Sequence, residues 1–213
     1  MALHWFLFFI LFSSLGGEGL ILARLKYSGG GDWYNDPDVL PNLARELNRR
    51  TNISCEEREE IVSPLDERLF SYPFIYLTGH GNINFNKEEA ERLRRYLESG
   101  GFIYADDDYG MDKSFRREIK KIFPNNELLE LPFSHPIYHI VYQFPNGPPQ
   151  IHEHYKNRPP KGYGIFYQGR LVLFYTYNSN ISDGWTPAHQ DPENKREEAF
   201  RMGINIVAYA ITH

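Results

Sequence analysis

Cysteine is almost absent from the 213-residue sequence, which contains only Cys55. A single cysteine excludes a disulfide within the chain. It also leaves one residue for thiol chemistry, and that residue lies in a weakly patterned segment after Asn52.

Basic residues are also fewer than acidic ones. The sequence has 23 Lys and Arg against 28 Asp and Glu, for a formal net charge of −5. Proteins that bind nucleic acids usually present a basic face. The basic clusters Arg45–Arg50 and Arg116–Lys121 lie in helix-like segments and are interpreted as solvated helix faces. We therefore predict no nucleic-acid partner.

No apolar run is long enough to span a bilayer comfortably, because the N-terminal stretch Trp5–Phe12 is too short. Small residues at Ser14 and Gly16 form a cleavage pattern before Gly17, although no Lys or Arg precedes the run. We predict a signal peptide over residues 1–17, with an uncleaved anchor as the alternative, and a periplasmic or secreted protein with no stable transmembrane span after cleavage. An exported chain without disulfides suits a bacterial envelope.

Several common active-site motifs are missing too. The triple glycine Gly29–Gly31 does not continue into G-x-G-x-x-G, and no Gly-Lys-Ser/Thr follows it. No Gly-x-Ser-x-Gly elbow is found, which disfavours a serine hydrolase of that type. The triple glycine is open to two interpretations, a close approach of the backbone to a ligand or a turn with positive φ.

What the sequence does contain is an alternation of strand and helix patterns. We predict strands at Leu20–Tyr27, before Val62, at Pro73–Leu77 and from Phe102, and a hairpin over residues 163–177 that turns at Gln168-Gly169. Helices are predicted at Pro37–Arg50, after Asn86, at Met111–Phe123 and at Pro192–Ile211. Asn86 with Glu89 predicts a capping box, and Asp191 is expected to cap the last helix. This alternation indicates an α/β protein with a mainly parallel sheet, helices on both faces and a C-terminal β-hairpin. We predict a single domain over residues 18–213.

Three unusual loops leave strands of this sheet: GGGDWY (29–34), TGHGN (78–82) and ADDDYG (105–110). Ligands of open parallel sheets bind beyond the carboxyl ends of the strands, so we expect these loops to converge. The loop residues that we predict to bind a ligand are Gly30, Gly31, Asp32, Trp33, Tyr34, Gly79, Gly81, Asp106, Asp108 and Tyr109. For Trp33 and Tyr34, core packing is the competing interpretation. Trp185 is added because Asp183-Gly184-Trp185 has the pattern of a turn, from which Trp185 can border a pocket.

The predicted catalytic residues at this edge are Asp107 and His80, because both side chains can act as an acid or a base and both lie at strand ends. Three adjacent carboxylates oppose one another's ionisation. We expect one of the three aspartates to point to solvent, one to cap the next helix and at least one to face the cleft. A turn histidine bonded to backbone is the alternative for His80.

The sequence establishes no cofactor, but its aspartates and histidines are compatible with a divalent metal. His152 and His154 lie two positions apart, so in an extended segment both imidazoles face one side and can reach one ion. Surface histidines of a long loop are the competing explanation. His135 and His189 are weaker candidates.

Several motifs together resemble one bacterial family of unknown function, domain-of-unknown-function family four-one-five-nine. They are KYSGGGDWY, YLTGHGNINF, GGFIYADDDYGMD, ELPFSHPIYH, IHEH, GRLVLFYTYNSNISDGW and MGINIVAYAIT, and they cover nearly all of the chain after the signal segment. The resemblance implies a branch of the class I glutamine amidotransferase-like superfamily with a flavodoxin-like three-layer sandwich. Amidotransferases carry a cysteine at the strand-to-helix elbow, where this sequence has Asp106–Asp108.

Two functions remain open from the sequence. The first is a ligand-binding or assembly domain of the bacterial envelope that lacks the amidotransferase nucleophile, with a small molecule, a glycan or an envelope protein as its partner. The second is a hydrolase, metal-dependent or based on Asp and His, that acts at the strand-end cleft.

Overall fold

The computed structural model describes residues 19–213, so the predicted signal peptide lies outside the described residues. Within that part of the chain no helix is long and apolar enough to cross a membrane. The strands are β1 (Leu20–Leu25), β2 (Cys55–Val62), β3 (Phe74–Leu77), β4 (Phe102–Asp106), β5 (Leu129–Glu130), β6 (Lys161–Tyr167) and β7 (Arg170–Tyr177). The α-helices are α1 (Val39–Arg50), α2 (Lys87–Glu98), α3 (Asp112–Ile122) and α4 (Glu193–Thr212).

The seven strands form one mixed sheet in the order β2-β1-β3-β4-β7-β6-β5. The pairs β1–β2, β1–β3, β3–β4 and β4–β7 are parallel, while β6 runs antiparallel to both β7 and β5. The order of the five parallel strands is that of flavodoxin-like sheets. The predicted α/β fold is therefore confirmed.

The sheet separates two hydrophobic cores, because successive strand residues point to opposite faces. Phe74 and Tyr76 of β3 pack with α1 and α4, whereas Ile75 and Leu77 of the same strand pack with α2 and α3. Helices thus cover both faces, and the molecule has the predicted three layers.

The predicted hairpin is confirmed as β6 and β7. Its two turn residues, Gln168 and Gly169, both have positive φ, at 49° and 82°. Two such residues match the right-handed twist of the flanking strands, which explains the tight connection. The short edge strand β5 was not predicted, because its two residues are exposed and carry no alternation.

Of the two predicted helix caps, the one at α2 is confirmed and the one at α4 is not. Asn86 accepts a hydrogen bond from the backbone of Glu89, and Glu89 accepts one from the backbone of Asn86, so the predicted capping box of α2 is confirmed. The predicted cap of α4 is wrong. Pro192 occupies the N-cap position, and the carboxylate of Asp191 contacts His152 instead.

Candidate active site

Polar loops meet where the parallel strands end. The loops after β1, β3, β4 and β7 leave the same edge of the sheet, because these four strands are parallel. We call the polar residues that are joined there by hydrogen bonds and ion pairs the strand-end cluster. Its members are Asp32, Asn35, Asp36, His80, Asp108, His152, His154, Asn180, Asp183, His189 and Asp191.

The loop after β1 is held in place by Arg24, whose side chain is buried in the sheet. Its guanidinium donates to the carbonyls of Trp33, Asn35 and Asp36 at 2.8–3.1 Å. Glu59 of the neighbouring strand pairs with its Nε at 2.9 Å. A buried charge is tolerated only when it is paired and hydrogen-bonded, and here the partners fix the loop that carries two cluster aspartates.

His80 lies between two carboxylates. Its Nδ1 is 3.0 Å from Asp32 Oδ2, and its Nε2 is 3.1 Å from Asp108 Oδ1. Its backbone N–H also donates to Asp32 Oδ1 at 2.5 Å. Asp32, one of the predicted ligand-binding residues, thus orients this imidazole. About half of the His80 side chain (51%) is exposed, so a ligand can reach the ring.

The glycines around His80 have a steric role. Gly79 and Gly81 have φ of 136° and 86°, which side chains rarely adopt. A Cβ on Gly79 would lie 2.3 Å from the hydroxyl of Tyr27, and one on Gly31 would lie 2.8 Å from the carbonyl of His80. Both glycines therefore let the two loops approach closely. Gly30 faces open space, with φ of 91°.

The electrostatics of His80 and Asp108 are matched. Burial raises the pKa of Asp108 to about 6, with a contribution from Asp183 and an opposing one from His80. Burial opposes ionisation of His80, but Asp108 and Asp32 outweigh it and raise the pKa of the imidazole. The two groups therefore have perturbed pKa values and lie within hydrogen-bonding distance of each other, as groups that perform acid–base catalysis do.

The three consecutive aspartates differ from our expectation. Asp106, Asp107 and Asp108 are all buried, so none points to solvent, and α3 has no side-chain cap, so none caps it. Asp106 accepts from Thr176 Oγ1 at 2.5 Å and from the backbone of Ser182 at 2.6 Å. It joins β4 to β7 and to the following turn, and its role is structural.

Asp107 was predicted to act with His80, but the structure brings Asp108 to His80 instead. Asp107 follows Asp106 and so points to the opposite face, beside Tyr175, whose pKa is raised by burial and then by the charge of Asp107. Neither of its carboxylate oxygens has a hydrogen-bond partner among the described residues. Burial, with repulsion from Asp112, raises the pKa of Asp107 to about 8.

His152 is the centre of a second network. Its Nδ1 is 2.7 Å from Asp183 Oδ2, and its Nε2 is 2.9 Å from Asp191 Oδ1. The hydrogen bond to Asp183 is the main reason that its pKa is raised. His154 contacts Asn180 through Nε2, and burial lowers its pKa. Since both nitrogens of His152 face aspartates, the structure does not present it with His154 as a metal-binding pair.

Asn180 connects the two networks. Its Nδ2 donates to Asp183 Oδ2 at 2.5 Å and to Asp108 Oδ1 at 3.3 Å, and the residue is fully buried. On the other side of Asp183, His189 Nε2 lies 3.7 Å from Oδ1 and 2.9 Å from Asp36 Oδ2. Burial opposes ionisation of His189, but Asp36 and Asp183 raise its pKa.

The aromatic residues predicted to bind a ligand divide into two groups. Tyr34 is 63% exposed and Tyr109 is 57% exposed, and the ring of Tyr109 lies 5.6 Å from that of His154. Trp33 is partly buried and makes an edge contact with Tyr34. Trp185 is fully buried in the core beside α4, where its Nε1 donates to Ala199, so it does not border the cleft.

Cys55 lies at the other edge of the sheet. It is the first residue of the parallel strand β2, whereas the strand-end cluster lies where the strands end. Burial raises the pKa of its thiol to about 12. A thiolate nucleophile is therefore disfavoured by position and by ionisation alike.

Sequence reasoning missed Asn35, Asp36, Asn180 and Asp191, and it read Asp183 only as part of a turn. Two polar segments, YNDPD (34–38) and NSNISDG (178–184), contain most of them. NSNISDG directly follows β7, and YNDPD lies in the loop after β1, so both leave the carboxyl ends of parallel strands, which was the available signal. Two surface grooves, one lined by Phe85 and Arg94 and one by Phe144 and Arg201, share no residue with the cluster.

These features define an α/β protein with a three-layer sandwich and an aspartate–histidine cluster at the ends of its parallel strands. A family model described as Domain of unknown function (DUF4159) matches residues 21–211. The chain therefore belongs to that family, the one that its motifs resemble. No curated protein matches the sequence.

Proposed function

We propose that the chain is a hydrolase in which His80 is the general base. The observation that supports the proposal is the contact of His80 with Asp32 and Asp108, three residues from three different strand ends. Ionisable side chains that perturb one another's pKa values and meet at the ends of parallel strands are typical of catalytic sites.

The chemistry follows from the position of the ring. Asp32 holds Nδ1 and so orients the imidazole, Nε2 faces Asp108 Oδ1 at 3.1 Å, and about half of the side chain is exposed. Neutral His80 takes a proton from water as the oxygen attacks the electrophilic centre of the substrate. Asp32 and Asp108 stabilise the imidazolium that forms. The proton then passes to the leaving group as its bond to the electrophilic centre breaks, which restores neutral His80.

Water is the nucleophile in this proposal, because the described side chains that hydrogen-bond the ring of His80 are carboxylates. Among residues 19–213, neither a hydroxyl nor a thiol forms a hydrogen bond with the ring. The buried Cys55 at the opposite edge supports the same choice.

The test is a comparison of His80→Gln and Asp108→Asn with the unchanged chain on chromogenic carboxylate esters, amides and phosphate esters. We expect hydrolysis of one class and a loss of kcat of about 100-fold or more in His80→Gln, the usual contribution of a general base. His213→Gln, at an exposed terminal histidine outside the cluster, is the control. Turnover that is unchanged in His80→Gln contradicts the proposal.

A second candidate is a binding module for a glycan or another flat ligand, favoured by the exposed rings of Tyr34 and Tyr109 beside the cluster. Tyrosine offers an apolar face and a polar tip, which suits such ligands. Calorimetry with soluble glycan fragments should then show binding without turnover. Tyr34→Ala and Tyr109→Ala should weaken that binding, whereas Phe70→Ala, at another exposed ring, should not.

For cellular context we propose an exported protein of the bacterial envelope and a distant relationship to the amidotransferase-like superfamily. The parallel-strand order and the elbow after β4 support that relationship. The elbow carries carboxylates in place of the cysteine, which is consistent with different chemistry. Fractionation of the native host, with N-terminal sequencing of the product, tests the export proposal.

A further inference from the structure

We propose that Asp36, Asp183 and His189 bind one divalent cation of the Zn²⁺ or Mn²⁺ type. The ligand atoms of the three side chains all lie within 4.8 Å of one another. His189 Nε2 is 2.9 Å from Asp36 Oδ2 and 3.7 Å from Asp183 Oδ1. These separations suit neighbouring ligands around one ion. The proposal stands on these residues and does not require that His80 be catalytic.

The charge balance of the strand-end cluster favours a cation. Asp32, Asp36, Asp108, Asp183 and Asp191 form ion pairs only with histidines, and none of the described pairs joins one of them to Lys or Arg. Their partners are three histidines, His80, His152 and His189, which offset at most three of the five negative charges even when all three are protonated. Carboxylates placed this close disfavour one another's ionisation, and a divalent ion removes that repulsion.

Buried oxygens without partners provide an independent observation. Asn180 is fully buried, and its Oδ1 has no hydrogen-bond partner, although its Nδ2 donates directly to Asp183. Asp191 Oδ2, whose other oxygen bonds His152, is also without a partner. Such groups are rare in folded proteins, and an ion or an ordered water is the usual explanation. Asn180 bonds Asp183 directly and Asp191 is linked to it through His152, so both unpartnered oxygens belong to the network of the proposed ligand Asp183.

The two carboxylate ligands are fixed before any ion binds. Arg24 donates to the carbonyl of Asp36, a residue with φ of 46°. Asp183 lies in the buried 3₁₀ turn Ile181–Trp185, and its Oδ2 is occupied by His152 and Asn180, which directs Oδ1 to His189. Partners of this kind orient the ligands of a metal and raise its affinity.

The donor set decides the class of ion. Two carboxylate oxygens and one imidazole nitrogen suit Zn²⁺, Mn²⁺ and similar ions better than Ca²⁺ or Mg²⁺, which prefer oxygen alone. Three protein ligands leave a position for water or substrate, as in catalytic zinc sites. Because a histidine coordinates a metal ion only in its neutral form, binding should weaken as the pH falls.

The test is titration calorimetry of the full chain, prepared without a histidine tag, with Zn²⁺ and with Mn²⁺. We expect one ion per chain. His189→Gln and Asp36→Asn should each weaken binding by more than about tenfold, since loss of an orienting partner alone has that effect. His213→Gln should bind like the unchanged chain. A rise in the thermal midpoint on adding the ion, present in the unchanged chain and reduced in His189→Gln, is the second measurement.

His80→Gln separates this site from the proposed function. It should bind the ion with unchanged stoichiometry even if it loses hydrolysis. The inference is overturned if neither ion binds the unchanged chain, or if His189→Gln and Asp36→Asn bind as tightly as it does. It is also overturned if His154→Gln abolishes binding while His189→Gln does not, because the ion would then belong to the HEH segment.

Discussion

Asp107 offers the sharpest quantitative test of the structure, through the substitution Asp107→Asn. The carboxyl is buried, both of its oxygens lack partners, and burial raises its pKa from 3.8 to about 8. The folded protein therefore keeps a proton on Asp107 at neutral pH, whereas the unfolded chain releases it above about pH 4. A raised pKa of this kind opposes folding: the penalty is absent below pH 3.8 and grows as the pH rises to about 8.

The magnitude follows from the two pKa values. Each pKa unit corresponds to about 1.4 kcal/mol, so at pH 7 the ionisation of the unfolded chain destabilises the fold by at most about 4 kcal/mol. Asparagine has the same size and does not ionise, which removes this penalty. Its amide brings N–H donors whose unpaired burial costs about 1–3 kcal/mol, a cost that does not change with pH.

The informative quantity is the pH dependence of the difference between the two proteins. Urea unfolding at intervals between pH 4 and pH 8 measures it. Near pH 4 we expect Asp107→Asn to have the lower free energy of unfolding. Between pH 4 and pH 7 its free energy of unfolding should rise relative to that of the unchanged chain by up to about 4 kcal/mol. A difference in the free energy of unfolding that stays constant across this range would show that Asp107 is ionised in the folded state, and the reasoning would fail.

Three further substitutions test the surroundings of the cluster. His152→Gln removes the ionic contacts with Asp183 and Asp191. Because the pKa of His152 is raised in the folded protein, the stability that these contacts contribute is present below about pH 6.5 and is lost as the pH rises through the folded pKa. The substitution should therefore lower the melting temperature more at pH 5.5 than at pH 8.5. Arg24→Met leaves Glu59 and three loop carbonyls without their buried partner, and it should lower the free energy of unfolding by about 3–5 kcal/mol. Urea unfolding measures this, and an unchanged urea midpoint would contradict the role assigned to Arg24. Gly79→Ala, at φ of 136° and against a neighbouring hydroxyl, should cost about 1–3 kcal/mol by the same measurement, and a neutral result would mean that the loop around His80 can relax.

The fold was largely predictable because its signals are local. The apolar run Phe74–Leu77 is buried on both sides, as a central parallel strand must be, and strands of this kind have a recognisable pattern. The capping box at Asn86 and the turn at Gln168-Gly169 depend on residues within a few positions of each other. The cap of α4 was mispredicted because Asp191 has a distant competitor, His152, that no local pattern reveals.

The candidate site was predictable only in its location. Parallel strands that end in glycine and carboxylate residues point to one edge of the sheet, and His80, Asp32 and Asp108 do meet there. Which aspartate contacts His80 depended on the strand pleat. The pleat turns Asp106 and Asp107 to opposite faces of the sheet, so that Asp108 is the one that reaches the imidazole. A sequence of three identical residues contains no information that separates them.

By itself the sequence determined the alternation of elements, the three-layer sandwich and the edge at which polar loops would converge, because hydrophobic periodicity and turn chemistry act over short distances. The tertiary structure alone decided which aspartate faces His80, that Trp185 belongs to the core, and that Asp36, Asp183 and His189 meet. Those contacts join residues up to 153 positions apart. Distances of that kind are set by the order and direction of the strands, and no local pattern encodes them.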